Sequence, residues 1–170
     1  IKLFLVISIC LIFFFLTYND VKSQEPKIIF GKAKVIDGDT IKIDKNKIRL
    51  YGIDAPEKKQ QCQKMWLSIS FLTLNKNYQC GKISSNKLKV KINNKFIMCK
   101  SSNKDRYNRF IAECYKDKIN INKWMVSNGY AVAYKKYSKK FVAQENIAKK
   151  EKLGLWAGTF EMPWEWRKKN

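Results

Sequence analysis

Two short stretches concentrate the groups that could do chemistry: Asp37-Gly38-Asp39-Thr40 and, nine residues on, Arg49-Leu50-Tyr51-Gly52-Ile53-Asp54-Ala55-Pro56-Glu57. They hold four carboxylates and one guanidinium within 21 residues, in a chain with 14 acidic residues against 35 basic ones. Hard oxygen ligands suit Ca²⁺ or Mg²⁺, and a planar guanidinium fork suits a phosphate. A metal and a phosphate at one place mean phosphoryl chemistry. Taken singly, each stretch is also ordinary turn material, because Asp and Gly tolerate positive φ. Their joint occurrence beside strand-like Lys34 to Ile36, Thr40 to Ile43 and Lys47 to Leu50 is harder to dismiss. A hairpin on Asp44-Lys45-Asn46 carries both acidic segments to the same end of a sheet, as a shared cation needs.

The kind of basic residue adds a second signal. Basic positions divide into 31 Lys and 4 Arg. Arg stands at 49, 106 and 109, inside the candidate site segments, and elsewhere only at 167. Arg differs from Lys by its rigid fork and permanent charge, so its use at Arg49 and Arg109 points to chemistry, with a structural ion pair as the alternative. The chain has no histidine. Ser-His triads, His-ligated metals and His-based acid-base schemes are excluded, which leaves carboxylate, Arg, Lys, Tyr and metal.

The elements that must position these groups follow from patterning. Lys27 to Ile53 reads as three strands by alternation and β-branched content, and residues 58–80 form an aromatic, polar segment bracketed by Cys62 and Cys80. Residues 82–94 fit either a strand or one helical face. Phe96 to Cys99 and Arg109 to Tyr115 read as strands joined by a polar turn. Asn122 to Asn128 reads as a helix stopped by Gly129, and Ser138 as the cap of a longer helix running to Lys152, with Phe141, Ile147 and Leu153 inward.

At 170 residues the chain allows one domain and a leader. Lys2 precedes an uncharged run from Leu3 to Leu16, and small or apolar residues flank a cut after Ser23. Residues 1–23 are therefore expected to be a signal peptide, with an uncleaved anchor as the alternative although 14 apolar residues are short for a bilayer needing about 20. Removing them takes out Lys2, Lys22 and Asp20 and leaves a net charge of +20. Such a charge favours polyanions, either nucleic acid or an anionic envelope surface. It also follows from the abundance of Lys, Asn and Ile, so charge alone supports a nucleic-acid partner weakly. Cys10 lies in the leader. Cys62, Cys80, Cys99 and Cys114 form an even set in a chain that reads as exported, so disulfides are expected, in one of three connectivities. The absence of Cys-x-x-Cys spacing argues against zinc.

The ordered blocks Asp37-Gly-Asp-Thr40, Arg49 to Glu57, Asp105-Arg-Tyr-Asn-Arg109, Gly129-Tyr-Ala131 and Lys150-Glu-Lys-Leu-Gly-Leu-Trp156 resemble the thermonuclease (staphylococcal-nuclease-like) family, over about Lys32 to Trp156. The two cysteine pairs and Pro163-Trp-Glu-Trp166 resemble its exported bacterial branch. The resemblance implies a mainly β, α+β OB-fold, a five-stranded barrel with three helices, and places residues 82–94 on the first helix. It makes residues 24–170 one domain, with 58–80 an insertion and 157–170 a Trp-rich tail. It also implies a Ca²⁺-dependent nuclease acting on DNA and RNA, leaving 3′-phosphates.

By motif position, Asp39, Asp54 and the Ala55 carbonyl are the implied Ca²⁺ ligands, with Asp37 in an outer shell. Glu57 orients or deprotonates the attacking water, Arg49 and Arg109 grip the phosphate, and Tyr107 and Tyr134 lie beside the nucleotide. Asn108 stands where the family usually has Gly and must hold a left-handed conformation. Ala55 replaces a frequent Thr, which matters little if only its carbonyl binds. The pairs Cys62–Cys80 and Cys99–Cys114 are expected because each is local and the second lies on adjoining strands. The rival classes are a non-catalytic OB-fold binding single strands, disfavoured by the presence of Arg49, Glu57 and Arg109, and a cationic envelope-binding protein. A monomer is expected, with membrane contact only if the leader stays.

Overall fold

The computed structural model describes residues 25–70 and 72–170; the expected leader and Cys10 lie outside them. β1 (Lys27–Val35), β2 (Thr40–Ile43) and β3 (Asn46–Leu50) form an antiparallel meander. The long β1 continues to β7 (Phe96–Lys104), which pairs with β8 (Phe110–Lys116). β8 then runs parallel to β3, with Ile48 opposite Phe110 and Leu50 opposite Ala112, and this pairing closes a five-stranded barrel. Alternation drives it: Ile29, Ala33, Ile41, Ile43, Ile48, Leu50, Ile97, Cys99, Ala112 and Cys114 point inward and are buried, while the lysines between them face water. The expected OB-like barrel is present.

Residues 82–94, ambiguous by pattern, are helical up to Ile92, in helix α1 (Cys80–Ile92), which starts two residues earlier than read. α2 (Ile121–Ser127) starts one residue earlier than read, capped by the Asn120 side chain, which accepts from the Lys123 amide at 2.9 Å. The third helix departs from expectation. α3 spans Val142–Lys150, and Ser138 lies before it, its hydroxyl accepting from the Lys140 amide at 3.1 Å in a preceding turn. Phe141 is buried as read, but Ile147 and Leu153 are exposed. Their place inward is taken by Ala148 and by Glu145, which pairs with Lys135 at 2.8 Å. A fourth helix, α4 (Pro163–Lys169), forms from the tail, so the described residues carry four helices rather than three. Pro163 opens it at a position where its missing N–H costs nothing.

The cysteine-bracketed segment is a β-hairpin, β5 (Cys62–Ile69) and β6 (Leu72–Tyr78), joined by a short strand at Gly158–Thr159 that pairs with β5. Both local disulfides are present. Cys62 and Cys80 lie 5.6 Å apart at Cα, and Cys99 faces Cys114 across the β7–β8 ladder at 4.1 Å. Cys62, Cys80, Val132 and Leu155 make a second, smaller core against which Tyr78, Trp156, Phe160, Met162 and Trp164 pack. That core fastens the tail to the barrel.

Candidate active site

The β2–β3 hairpin turns at Asp44-Lys45, and Thr40 pairs with Arg49 across it. The acidic turn before β2 and the β4 residues Ile53–Asp54 after β3 therefore meet at one end of the barrel. Asp37 Oδ1 accepts from the Asp39 amide at 3.1 Å, and Asp39 Oδ2 accepts from the Ala55 amide at 2.8 Å. Gly38 is required by space rather than by positive φ: a Cβ there would lie 2.2 Å from Ser84 Oγ and 2.6 Å from Ala55 Cβ. The acidic turn is thus pressed between α1 and the Asp54 strand.

Arg49 joins the two halves. Its guanidinium pairs with Asp39 and with Asp54 Oδ1, the latter at 2.5 Å. Both carboxylates are buried, Asp54 completely. The electrostatics follow from this crowding. Burial and then the charge of Asp39 push Asp37 up to about 7. Burial also opposes ionisation of Asp39, but Arg49 and the surrounding donors hold its carboxyl below the usual range. Asp54 is raised, by burial first, against the pull of Arg167 and Arg49.

Among the described residues no three acidic or cysteine side chains converge as a ready metal cluster. The expected ligand set, two carboxylates and a carbonyl, does not require one. Asp39 and Ala55 are joined by a hydrogen bond, Asp39 and Asp54 share Arg49, and the donors of all three residues are hard oxygens. The residues fit a Ca²⁺ ion.

Glu57 sits on the loop after Asp54, and the loop is tightly held. The Glu57 amide donates to Gln60 Oε1 at 3.3 Å, the Gln60 amide donates to the Glu57 carbonyl at 2.7 Å, and the Cys80 disulfide sulfur lies 3.4 Å from the Gln60 carbonyl. Arg109 and Tyr107 lie elsewhere, on the β7–β8 turn. Asp105 accepts from the Arg109 side chain at 2.7–2.8 Å and from its amide at 3.0 Å. Burial opposes ionisation of Asp105, but these bonds hold its carboxyl below the usual range. Asn108 takes the left-handed conformation, φ 60°, that this turn demands. Tyr107 is exposed, flanked by the guanidinium carbons of Arg106 at 4.8 Å and Arg109 at 5.4 Å. Tyr134 stacks on Trp164 with ring centres 5.5 Å apart.

Sequence reasoning missed two residues here. Asn122, fully buried, donates to the Tyr51 and Ala112 carbonyls and accepts from the Cys114 amide, tying the Gly52-Ile53-Asp54 approach to β8. No local pattern marks it. Arg167 of α4 grips Asp54 and Glu57. Its signal was present: it is the fourth arginine of a chain that writes lysine nearly everywhere else.

A family described as Staphylococcal nuclease homologue matches residues 47–158. A protein of Escherichia coli O157:H7 named as an uncharacterized endonuclease is 34% identical over 148 residues, covering 82% of this chain and 85% of its own. An uncharacterized endonuclease of Haemophilus influenzae (strain ATCC 51907 / DSM 11121 / KW20 / Rd) is 38% identical over 146 residues, with 80% and 71% covered. The succinoglycan biosynthesis protein ExoI of Rhizobium meliloti (strain 1021) is 33% identical over 141 residues, with 81% and 69% covered.

Proposed function

The chain belongs to the staphylococcal nuclease family and is a phosphodiester hydrolase, and from that premise we propose that it is an exported, Ca²⁺-dependent enzyme that cuts DNA and RNA to 3′-phosphate products. The observation that carries this reading is the joining of Asp39 and Asp54 by Arg49, with the Ala55 amide on Asp39 and Glu57 on the adjacent loop.

Asp39, Asp54 and the Ala55 carbonyl would hold the cation, and Asp37 supports Asp39 from behind through its amide. When bound, a divalent cation offsets phosphodiester charge and polarises the phosphorus. Glu57, 35% exposed at its side chain, accepts a proton from, or orients, the attacking water. Arg49 and Arg109 donate to the oxygens that gain charge in the five-coordinate transition state, where a planar fork meets two of them at once. Tyr107 offers an exposed ring to a base, and Tyr134, one face of which is stacked on Trp164, has only its other face to offer. Stacking and phosphate contacts tolerate any sequence, and a net charge of +21 draws in polyanions.

Residues 1–23 act as a signal peptide ahead of one domain, and the protein works as an exported monomer. Two disulfides support an oxidising compartment. No helix among the described residues is long and apolar enough to cross a membrane. The test is degradation of plasmid DNA and of RNA by the purified protein with Ca²⁺, with Mg²⁺ and with chelator. Calcium-dependent loss of both substrates is expected, weaker with Mg²⁺ because of its stricter geometry. Undiminished cleavage in chelator, or by Asp39→Ala, removes the calcium role.

A further inference from the structure

The tail helix reaches into the site just described. Arg167 Nη2 and Nη1 grip the two Asp54 oxygens at 2.8 and 3.1 Å, and Nη1 also donates to Glu57 Oε1 at 2.8 Å. One guanidinium thus bridges a carboxylate expected to hold the cation and the carboxylate expected to handle the water. Among the described residues, Arg167 is the side chain on which the Glu57 carboxylate bonds. Burial opposes its charge, but Asp54 and then Glu57 hold it firmly protonated.

The placement is built in. Trp164, one turn earlier on the same helix, lies nearly parallel to Tyr134, at 9° and 5.5 Å. Gln60, fully buried, donates through Nε2 to the Glu161 carbonyl at 2.7 Å while its Oε1 accepts from the Glu57 amide at 3.3 Å. One side chain therefore ties the tail to the very loop that carries Glu57. Phe160 and Met162 pack on the small disulfide core beneath. The helix is fixed at both its approach and its face.

We propose that Arg167 is a third arginine of the nuclease site: a positioning residue that holds Glu57 and Asp54 at a set spacing and shares Asp54 with the bound cation. The inference rests on the nuclease reading above and deepens it. It makes the Trp-rich tail part of the active centre rather than an appendage. The fork matters as much as the charge, because only two parallel N–H groups can hold both Asp54 oxygens while reaching Glu57.

The two roles come apart in two variants of the full protein, Arg167→Gln and Arg167→Lys. Calcium affinity is read by isothermal titration without nucleic acid, and kcat and KM by cleavage of a short single strand. Arg167→Gln removes the competing cation, so calcium binds about tenfold more tightly, the scale of one charge-assisted hydrogen bond. Its kcat falls about 10²-fold as Glu57 loses its hold, with KM little changed. Arg167→Lys keeps the charge and loses the fork, so calcium affinity returns toward native while kcat stays low. Calcium affinity and kcat both within about twofold of native in Arg167→Gln would make the contact a surface ion pair and overturn the proposal. So would looser calcium binding in step with lost thermal stability, which would mean that Arg167 only holds the tail down. A native protein that binds calcium but cuts nothing overturns the nuclease reading; tighter calcium binding by Arg167→Gln in that case still supports the sharing of Asp54.

Discussion

Gly81→Ala tests whether the Glu57 loop is held in place by contact with α1. A Cβ at residue 81 would stand 1.8 Å from the Glu57 carbonyl oxygen, 2.5 Å from its carbon and 3.0 Å from Lys58 Cα. Ordinary contact between such atoms begins near 3.4 Å or more, so the loop must retreat by about 1.5 Å. It cannot retreat freely, since Gln60 bonds both Glu57 backbone groups and Cys80 is cross-linked to Cys62. Overpacking of this kind costs about 1–3 kcal/mol. Alanine recovers up to about 1 kcal/mol of helix propensity at the second residue of α1. The net loss is about 0–3 kcal/mol, a shift of no more than roughly 10 degrees in Tm for a domain of this size. Activity should suffer far more, because misplacing a reacting group by about 1 Å costs on the order of 10²-fold in rate. The assay is kcat at saturating calcium alongside thermal unfolding, repeated in a Glu57→Gln background. If the loop is the route, Gly81→Ala adds almost nothing once Glu57 is gone. Near-native kcat, or equal losses in both backgrounds, would refute the reasoning.

Arg49→Lys and Arg109→Lys should each lower kcat by about 10²-fold, but only the first should cost several degrees of Tm. Arg49 joins two buried carboxylates, whereas Arg109 pairs with Asp105 on a surface turn. Opening either disulfide should remove about 3 kcal/mol of stability by loop entropy, for separations of 18 and 15 residues. In paired Cys→Ala variants, loss of Cys62–Cys80 should also reduce kcat, since it anchors the Glu57 loop, while loss of Cys99–Cys114 should show in Tm alone. Glu113 contributes to the acid limb of stability, together with Asp39 and Asp105, whose carboxyls are also held low. Burial opposes ionisation of Glu113, but Lys140, Tyr115 and Asn120 hold its carboxyl below the ordinary 4.5. The stabilisation is full above that ordinary value and is lost as pH falls through the lower native one. Thermal unfolding against pH should therefore show a shallower acid limb in Glu113→Gln; an unchanged limb would dismiss Glu113 as a contributor.

Local periodicity and residue choice determined much of this protein. Strict alternation in β1 to β3 marked the meander, and the short Asp44-Lys45 turn dictated that Asp39 and Asp54 end up together. The scarcity of arginine singled out Arg49, and the nearness of Cys99 to Cys114 in sequence allowed one ladder step to join them. These are features whose cause lies within a few residues, or one hairpin, of their effect. Tertiary packing decided the rest. In residues 82–94 the buried positions include Ser84, which lies so close to Gly38 that a large side chain would not fit. No hydrophobic count could read that. On α3, Glu145 is buried and Ile147 exposed, against the apolar pattern, and the buried carboxylate is met by Lys135 and Lys149. Arg167 lies 113 residues from Asp54, and nothing between them in sequence predicts the contact. It exists because Trp164 finds Tyr134 and Gln60 finds Glu161, contacts between parts of the chain that meet only once the barrel has closed.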